Sequence, residues 1–135
     1  MSGTFLDTNI LIYAFSQAPQ GARARDLLGR ADKTGVQNLN EFANVARNKL
    51  SMSWAEVRES IVQIRSLCAI VAPLDLALHE RGMALAERYA LACFDALVVA
   101  AALDSGCHTL LSEDMHDGLV VEERLTIRNP FRSLS

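Results

Sequence analysis

Thr4-Phe5-Leu6-Asp7-Thr8-Asn9-Ile10-Leu11-Ile12-Tyr13 opens on a short apolar run, then delivers a carboxylate, a hydroxyl and an amide in three consecutive residues. A brief apolar run of this kind reads as a buried parallel strand, and in open α/β sheets the ligand site lies just beyond the strands' carboxyl ends. Asp7 stands at such a point. It is also placed to cap a helix beginning near Ile10, since Asp, Thr and Asn all accept backbone N–H groups at helix starts.

Outward from this segment, short strand-like runs alternate with longer amphipathic stretches, the pattern of an α/β fold with a parallel sheet. Strands are expected at Thr4–Leu6, Gly35–Gln37, Ala69–Val71, Thr109–Leu111 and Leu125–Arg128. Apolar spacings of three and four place helices at Ile10–Phe15, Gly21–Ala31, Leu39–Leu50, Ala55–Leu67, Leu76–Tyr89 and Ala96–Ser105. Ser53-Trp54-Ala55-Glu56 fits a capping box, Pro73 to Asp75 a helix entry, and Ser105-Gly106 a helix stop. Ala90 to Leu103 is the most apolar helical region and belongs under the sheet or in an interface.

A chain of 135 residues with 50% apolar and 21% charged residues fits a single domain, residues 1–135, with a real core. The longest unbroken apolar stretch, Ala96 to Leu103, is far short of the roughly 20 residues of a membrane span. The N-terminus has no basic residue before Arg23, so no secretory leader is read and the expected compartment is the cytoplasm. Cys68, Cys93 and Cys107 are odd in number, widely spaced and set among apolar residues, which suggests packed thiols rather than disulfides or a zinc site. A net charge of -3 and a pI near 5.5 do not advertise a nucleic-acid binder. Carboxylates gathered for metal ions would lower the pI while leaving local basic patches intact.

Three further acidic positions recur in settings like that of Asp7. Glu41 follows Val36-Gln37 and precedes Phe42, Val45 and Ala46, in the first turn of an expected helix, where Asn38-Leu39-Asn40-Glu41 can also form a capping box. Asp95 is a lone charge within Ala90 to Val99, and an acid among apolar residues must be hydrogen-bonded, paired or metal-bound unless it merely caps the next helix. Asp114 and Asp117, with Glu113 beside them, follow the Thr109–Leu111 strand in a Ser-, Asp- and Gly-bearing loop that reads equally well as a turn. His116 reads as a surface residue.

If the strands are parallel neighbours, Asp7, Glu41, Asp95 and Asp114 converge, and clustered carboxylates repel one another unless cations join them. Hard all-oxygen donors suit Mg²⁺ or Mn²⁺, and such a site can activate water against a phosphodiester without a side-chain nucleophile. Thr8, Asn9 and Ser112 would then orient carboxylates or waters.

These segments carry a resemblance. Phe5-Leu6-Asp7-Thr8-Asn9-Ile10, Asn40-Glu41-Phe42, Phe94-Asp95-Ala96-Leu97 and Leu111-Ser112-Glu113-Asp114-Met115 are similar, in order and spacing, to the four motif regions of PIN-domain ribonucleases. A short stand-alone domain most resembles the VapC toxins of toxin–antitoxin modules. The resemblance implies a three-layer α/β/α sandwich with a parallel sheet of about five strands and Mg²⁺- or Mn²⁺-dependent endoribonuclease activity on RNA. It makes Asp7, Glu41 and Asp95 the first three acidic positions, Thr8 and Ser112 the hydroxyl positions beside them, and Asp114 the fourth acid, with Glu113 and Asp117 as competitors and Asp117 a further metal-ligand candidate. It also implies a cognate VapB-like antitoxin and a homodimer, for which Leu11, Ile12, Phe15 and Trp54 are candidate partner-facing residues against an ordinary core reading.

Arg23, Arg25, Arg30 and Lys33 form one basic segment and Arg47 and Lys49 another. Each is a candidate for phosphate contact, against the ordinary reading of a solvated helix face. Two other functions compete: a domain that binds RNA or protein without turnover, and a Mg²⁺-dependent phosphatase of the haloacid-dehalogenase kind with Asp7 as nucleophile. The phosphatase wants a second Asp two residues on, where this chain has Asn9.

Overall fold

Along β1 (Thr4–Leu6), Phe5 and Leu6 are both fully buried, yet they belong to different cores, because successive side chains of a strand point to opposite faces. This one alternation sets the three layers. The computed structural model of the protein describes residues 3–30, 32–68 and 71–132. β1 is followed by α1 (Thr8–Ala14), α2 (Gly21–Leu28), β2 (Thr34–Gly35), α3 (Val36–Asn48), α4 (Trp54–Leu67) and β3 (Val71–Ala72). Then come α5 (Leu76–Tyr89), α6 (Cys93–Asp104), β4 (Thr109–Leu111), β5 (Val120–Val121) and β6 (Leu125–Arg128).

The main sheet has the order β1-β4-β6-β5, with β1, β4 and β6 parallel and β5 antiparallel to β6. Thr4, Phe5 and Leu6 register with Thr109, Leu110 and Leu111. β2 and β3 form a separate parallel pair, joined to the outer side of β1 by a bridge between Phe5 and Lys33. The single sheet of about five strands is thus corrected to four strands plus a bridged pair, because β2 and β3 are only two residues long. Ala69 and Ile70 of the expected third strand lie outside the described residues.

One face of the sheet presents Phe5, Leu110, Leu125 and Ile127 to α5 and α6. The other presents Leu6 and Leu111 to residues of α1 to α4, including Ile10, Leu27, Phe42 and Ile64. Every residue of α6 from Ala96 to Ala102 is buried, which explains the missing polar face in its sequence. α5 crosses α6 at Gly82, where a Cβ would stand 2.7 Å from Leu97 Cδ2 and 3.4 Å from its Cα, so any larger residue would force the Leu97 side chain to shift.

Three helices start two or three residues earlier than their spacing suggests. α1 begins at Thr8, α6 at Cys93, and α3 at Val36, directly after Gly35. The Gly35–Gln37 strand is therefore cut to its first residue plus Thr34, and the capping box expected at Asn38 to Glu41 is absent. Asn38 Oδ1 instead accepts the Gly35 N–H at 3.2 Å, and Glu41 moves into the second turn. The Ser53–Glu56 capping box is present, with bonds of 3.1 and 2.8 Å. Cys68 and Cys107 are buried, but Cys93 is exposed as the first residue of α6, so the packed-thiol reading holds for two of the three. No helix among the described residues is long and apolar enough to cross a membrane.

Candidate active site

β1 ends on Leu6, and Asp7 leaves the sheet as the N-cap of α1, its side chain accepting the Thr8 N–H at 2.8 Å. The capping role and the candidate catalytic role thus fall on the same carboxylate. Its backbone N–H donates to Leu111 of β4 at 3.0 Å, which fixes it beside the loop that follows β4. From that loop Ser112 Oγ donates to Asp7 Oδ2 at 2.7 Å, and from α3 Asn38 Nδ2 donates to Asp7 Oδ1 at 3.2 Å. Asp7 is only 6% exposed. Burial raises its pKa to about 6; the Ser112 and Thr8 bonds pull the other way, and the nearby Glu41 and Asp95 carboxylates push it further up.

Glu41 is held by neutral donors: Thr8 Oγ1 donates to Oε1 at 2.6 Å and Gln37 Nε2 to Oε2 at 3.2 Å. Asn38 Nδ2 also donates to Thr8 Oγ1 at 3.0 Å, so this one amide ties the carboxylate of Asp7 to the hydroxyl that holds Glu41. Asp95 is the third residue of α6, whose N-cap, Ala92, offers no side-chain cap. Helix capping therefore does not account for Asp95, although the positive end of α6 favours a carboxylate there. Among the described residues its carboxylate accepts no hydrogen bond. Burial first, then Asp114 and Glu41, raise its pKa.

In the loop after β4 three acids take three different places. Asn9 Nδ2 donates to Asp114 Oδ2 at 3.0 Å, and Asn9 Oδ1 accepts the Glu113 N–H at 3.3 Å, so Asn9 clamps this loop to α1. Tyr13 donates its hydroxyl to Glu113 Oε1 at 2.5 Å, which pushes the phenol up to about 12. Asp117 faces elsewhere: it accepts the Asn129 N–H at 2.9 Å and pairs with Arg132, and both contacts hold its pKa below the usual carboxylate range.

Asp7, Glu41, Asp95 and Asp114, with Glu113, line one cavity of about 520 Å³ together with Thr8 and Asn9. Ser112 stands behind it as the buried partner of Asp7. Asp117 is not brought in. Asn44, Phe94 and Lys49 also line the cavity. Asn38, 1% exposed, was hidden by its resemblance to a cap. A usable signal was its spacing: Asn38, Phe42 and Ala46 repeat every four residues on the buried stripe of α3, and a polar group on such a stripe needs a partner.

A divalent cation fits this donor set on chemical grounds. All the lining ligand groups are hard oxygens, and burial, together with repulsion from the neighbouring acids, raises the pKa values of Asp7 and Asp95. Among the described residues no three His, Cys, Asp or Glu side chains are drawn into a ready-made ligand shell.

The PIN domain model matches residues 4–116. The chain belongs to the PIN domain family. The PIN domain is similar in structure to a toxin–antitoxin complex component from Klebsiella pneumoniae, at 20% identity and a TM-score of 0.71, covering 94% of this chain and 97% of that one. It is also similar to VapC20 of Mycobacterium tuberculosis, described as a sarcin-ricin loop cleaving toxin, at 15% identity and a TM-score of 0.64, with 82% and 91% covered. DNA-bound VapBC from Salmonella typhimurium matches at 18% identity and 0.64, with 96% and 99% covered. No curated protein matches the sequence. At these identities the likeness establishes the fold.

Proposed function

We propose that this PIN domain is a divalent-cation-dependent endoribonuclease and the toxin of a VapBC-type toxin–antitoxin module, acting in the cytoplasm. The observation that carries this reading is the convergence of Asp7, Glu41, Asp95 and Asp114, from four separate segments, on one cavity with Asp7 almost fully buried. The four acids would hold Mg²⁺ or Mn²⁺. When bound, such a cation supplies Lewis-acid activation of the attacking water and stabilises charge on the leaving oxygen. Asn38, Ser112 and the Thr8 N–H hold the Asp7 carboxylate, Thr8 and Gln37 hold Glu41, and Asn9 holds Asp114, so their oxygens are oriented before substrate arrives. Both oxygens of Asp7 are engaged by donors, and Asn9 is committed to the loop after β4, which disfavours a phosphatase with Asp7 as nucleophile.

A VapB-like antitoxin and a second copy of the chain complete the proposal. The structural neighbours support it, as does exposed apolar surface on α4, where Trp54 is 58% exposed under the Arg47 guanidinium. Leu11 by contrast is core, and Phe15 packs edge-on against Phe42 at 5.5 Å. Total cellular RNA incubated with the purified protein and Mn²⁺ or Mg²⁺ should give discrete products, and EDTA or Asp95→Asn should abolish them. Products that persist in folded Asp7→Asn and Asp95→Asn proteins would overturn the site. A folded protein that binds RNA but never cleaves it would favour a binding domain.

A further inference from the structure

Of the six basic residues in the two basic segments, five are engaged inside the fold. Arg23 and Arg30 pair with Asp26, Arg25 donates to the Ala14 carbonyl, Lys33 donates to the Ser105 carbonyl at 2.7 Å, and Arg47 donates to the Met52 carbonyl while lying 4.6 Å from the Trp54 ring centroid. Lys49 is different. It closes the C-terminus of α3, is exposed, lines the acidic cavity, and among the described residues its ammonium makes no ion pair or hydrogen bond although five carboxylates line the same space.

From α6, Phe94 lines the same cavity and is 64% exposed. It packs into neither core and stacks on no other aromatic ring among the described residues. Exposed apolar residues are common, but an unstacked ring adjoining Asp95 in a carboxylate-lined cavity offers a flat face to whatever enters. Stacking on such a face suits any nucleobase, provided the base is not already stacked in a duplex.

We propose that Phe94 and Lys49 form a substrate subsite that selects unpaired RNA: a base next to the scissile phosphate stacks on Phe94, and a phosphate beside it meets the Lys49 ammonium. This rests on the nuclease reading and narrows its substrate class. The RNA strand, rather than a protein segment, is the favoured occupant because the ring and the unpaired cation share one cavity with the carboxylates that would act on a phosphodiester.

The test measures binding and cleavage separately. A fluorescent pyrimidine-rich oligoribonucleotide, single-stranded or annealed to its complement, is titrated by anisotropy with the wild type in Ca²⁺, alongside cleavage of total RNA in Mn²⁺. The single strand should bind more tightly than the duplex. Phe94→Leu, which keeps apolar bulk but loses the π-face, should weaken single-strand binding about 5- to 100-fold, and Phe94→Trp should restore it. Lys49→Gln should reduce the slope of log Kd against log salt by about 0.7, the release expected for one single-strand phosphate contact. Because both side chains are exposed, circular dichroism should be unchanged.

Undiminished binding by Phe94→Leu, or an unchanged salt slope for Lys49→Gln, overturns the subsite, while persisting metal-dependent cleavage leaves the nuclease reading standing. A wild type that neither binds nor cleaves RNA overturns both. If Phe94→Leu binds RNA normally but loses affinity for an antitoxin, the ring belongs to a protein interface and the proposal fails.

Discussion

Asp7→Asn should stabilise the metal-free protein at neutral pH while destroying its activity. In the fold the Asp7 carboxyl has a pKa of about 6 against an ordinary 3.8, raised by burial and by Glu41 and Asp95. At about 1.4 kcal/mol per pH unit, that difference makes the charged carboxylate cost about 3 kcal/mol above pH 6. Between pH 3.8 and 6 the native state binds more protons than the unfolded chain, so wild-type stability falls as pH rises through this window and is fully reduced above it.

Asn at this position keeps the Oδ1 contacts to the Thr8 N–H at 2.8 Å and Asn38 at 3.2 Å, and reverses only the bond to Ser112 at 2.7 Å. Allowing about 1 kcal/mol for that reversal, the net gain at pH 7 is about 2 kcal/mol, or about 8 °C in Tm for a domain of this size. Thermal melts in EDTA at several pH values would measure it. The gap between variant and wild type should shrink as pH falls from 6 to 4, and Mn²⁺ should raise the Tm of the wild type more than that of the variant. A variant that melts at or below the wild type at pH 7 in EDTA, or a gap indifferent to pH, would refute the reasoning.

Asn38→Leu should remove the donors to Asp7 and Thr8 and leave the buried Gly35 N–H without its acceptor, costing about 2–4 kcal/mol in urea denaturation and weakening Mn²⁺ binding by calorimetry. Asp117→Asn should leave metal-dependent cleavage intact, since Asp117 serves Asn129 and Arg132 outside the cavity, whereas Asp114→Asn should lower it; equal losses in the two would place the fourth acid wrongly. Gly82→Ala should lower stability by about 1–3 kcal/mol in a thermal melt, because the new methyl meets Leu97 at 2.7 Å where α5 crosses α6.

The strands β1 and β4 and the settings of Asp7 and Asp95 were legible because each of these acids directly follows an apolar run, whereas Glu41 and Asp114 stand a few residues beyond one and their approach depended on which strands pair. What escaped was set by contacts distant in sequence. Val36-Gln37 reads as strand, but the Asn38 side chain caps Gly35 and starts the helix at once. β5 is only two residues, with Val120 exposed, and its connection to β6 passes through Glu122 and Glu123 at positive φ, which carries no glycine signal. The choice among Glu113, Asp114 and Asp117 depends on Tyr13, Asn9 and Arg132, and no local spacing contains them.

The donors around the carboxylates are themselves informative. A protein that needed only to bury Asp7 and Glu41 could neutralise them with Arg or Lys, as buried acids usually require. This chain uses hydroxyls, amides and a backbone N–H instead, from Thr8, Gln37, Asn38 and Ser112. Neutral donors fix the direction of each oxygen but leave its charge uncancelled, so burial, and after it the neighbouring acids, still raise the pKa values of Asp7 and Asp95 in their shared cavity. The single ammonium that lines this space, Lys49, lies exposed and without an acid partner among the described residues. Geometry is thus built in, and under the proposed function the positive charge would come from a recruited cation. That is the division of labour expected of a site that works through a recruited cation, and it is why the same substitution should raise stability and abolish activity.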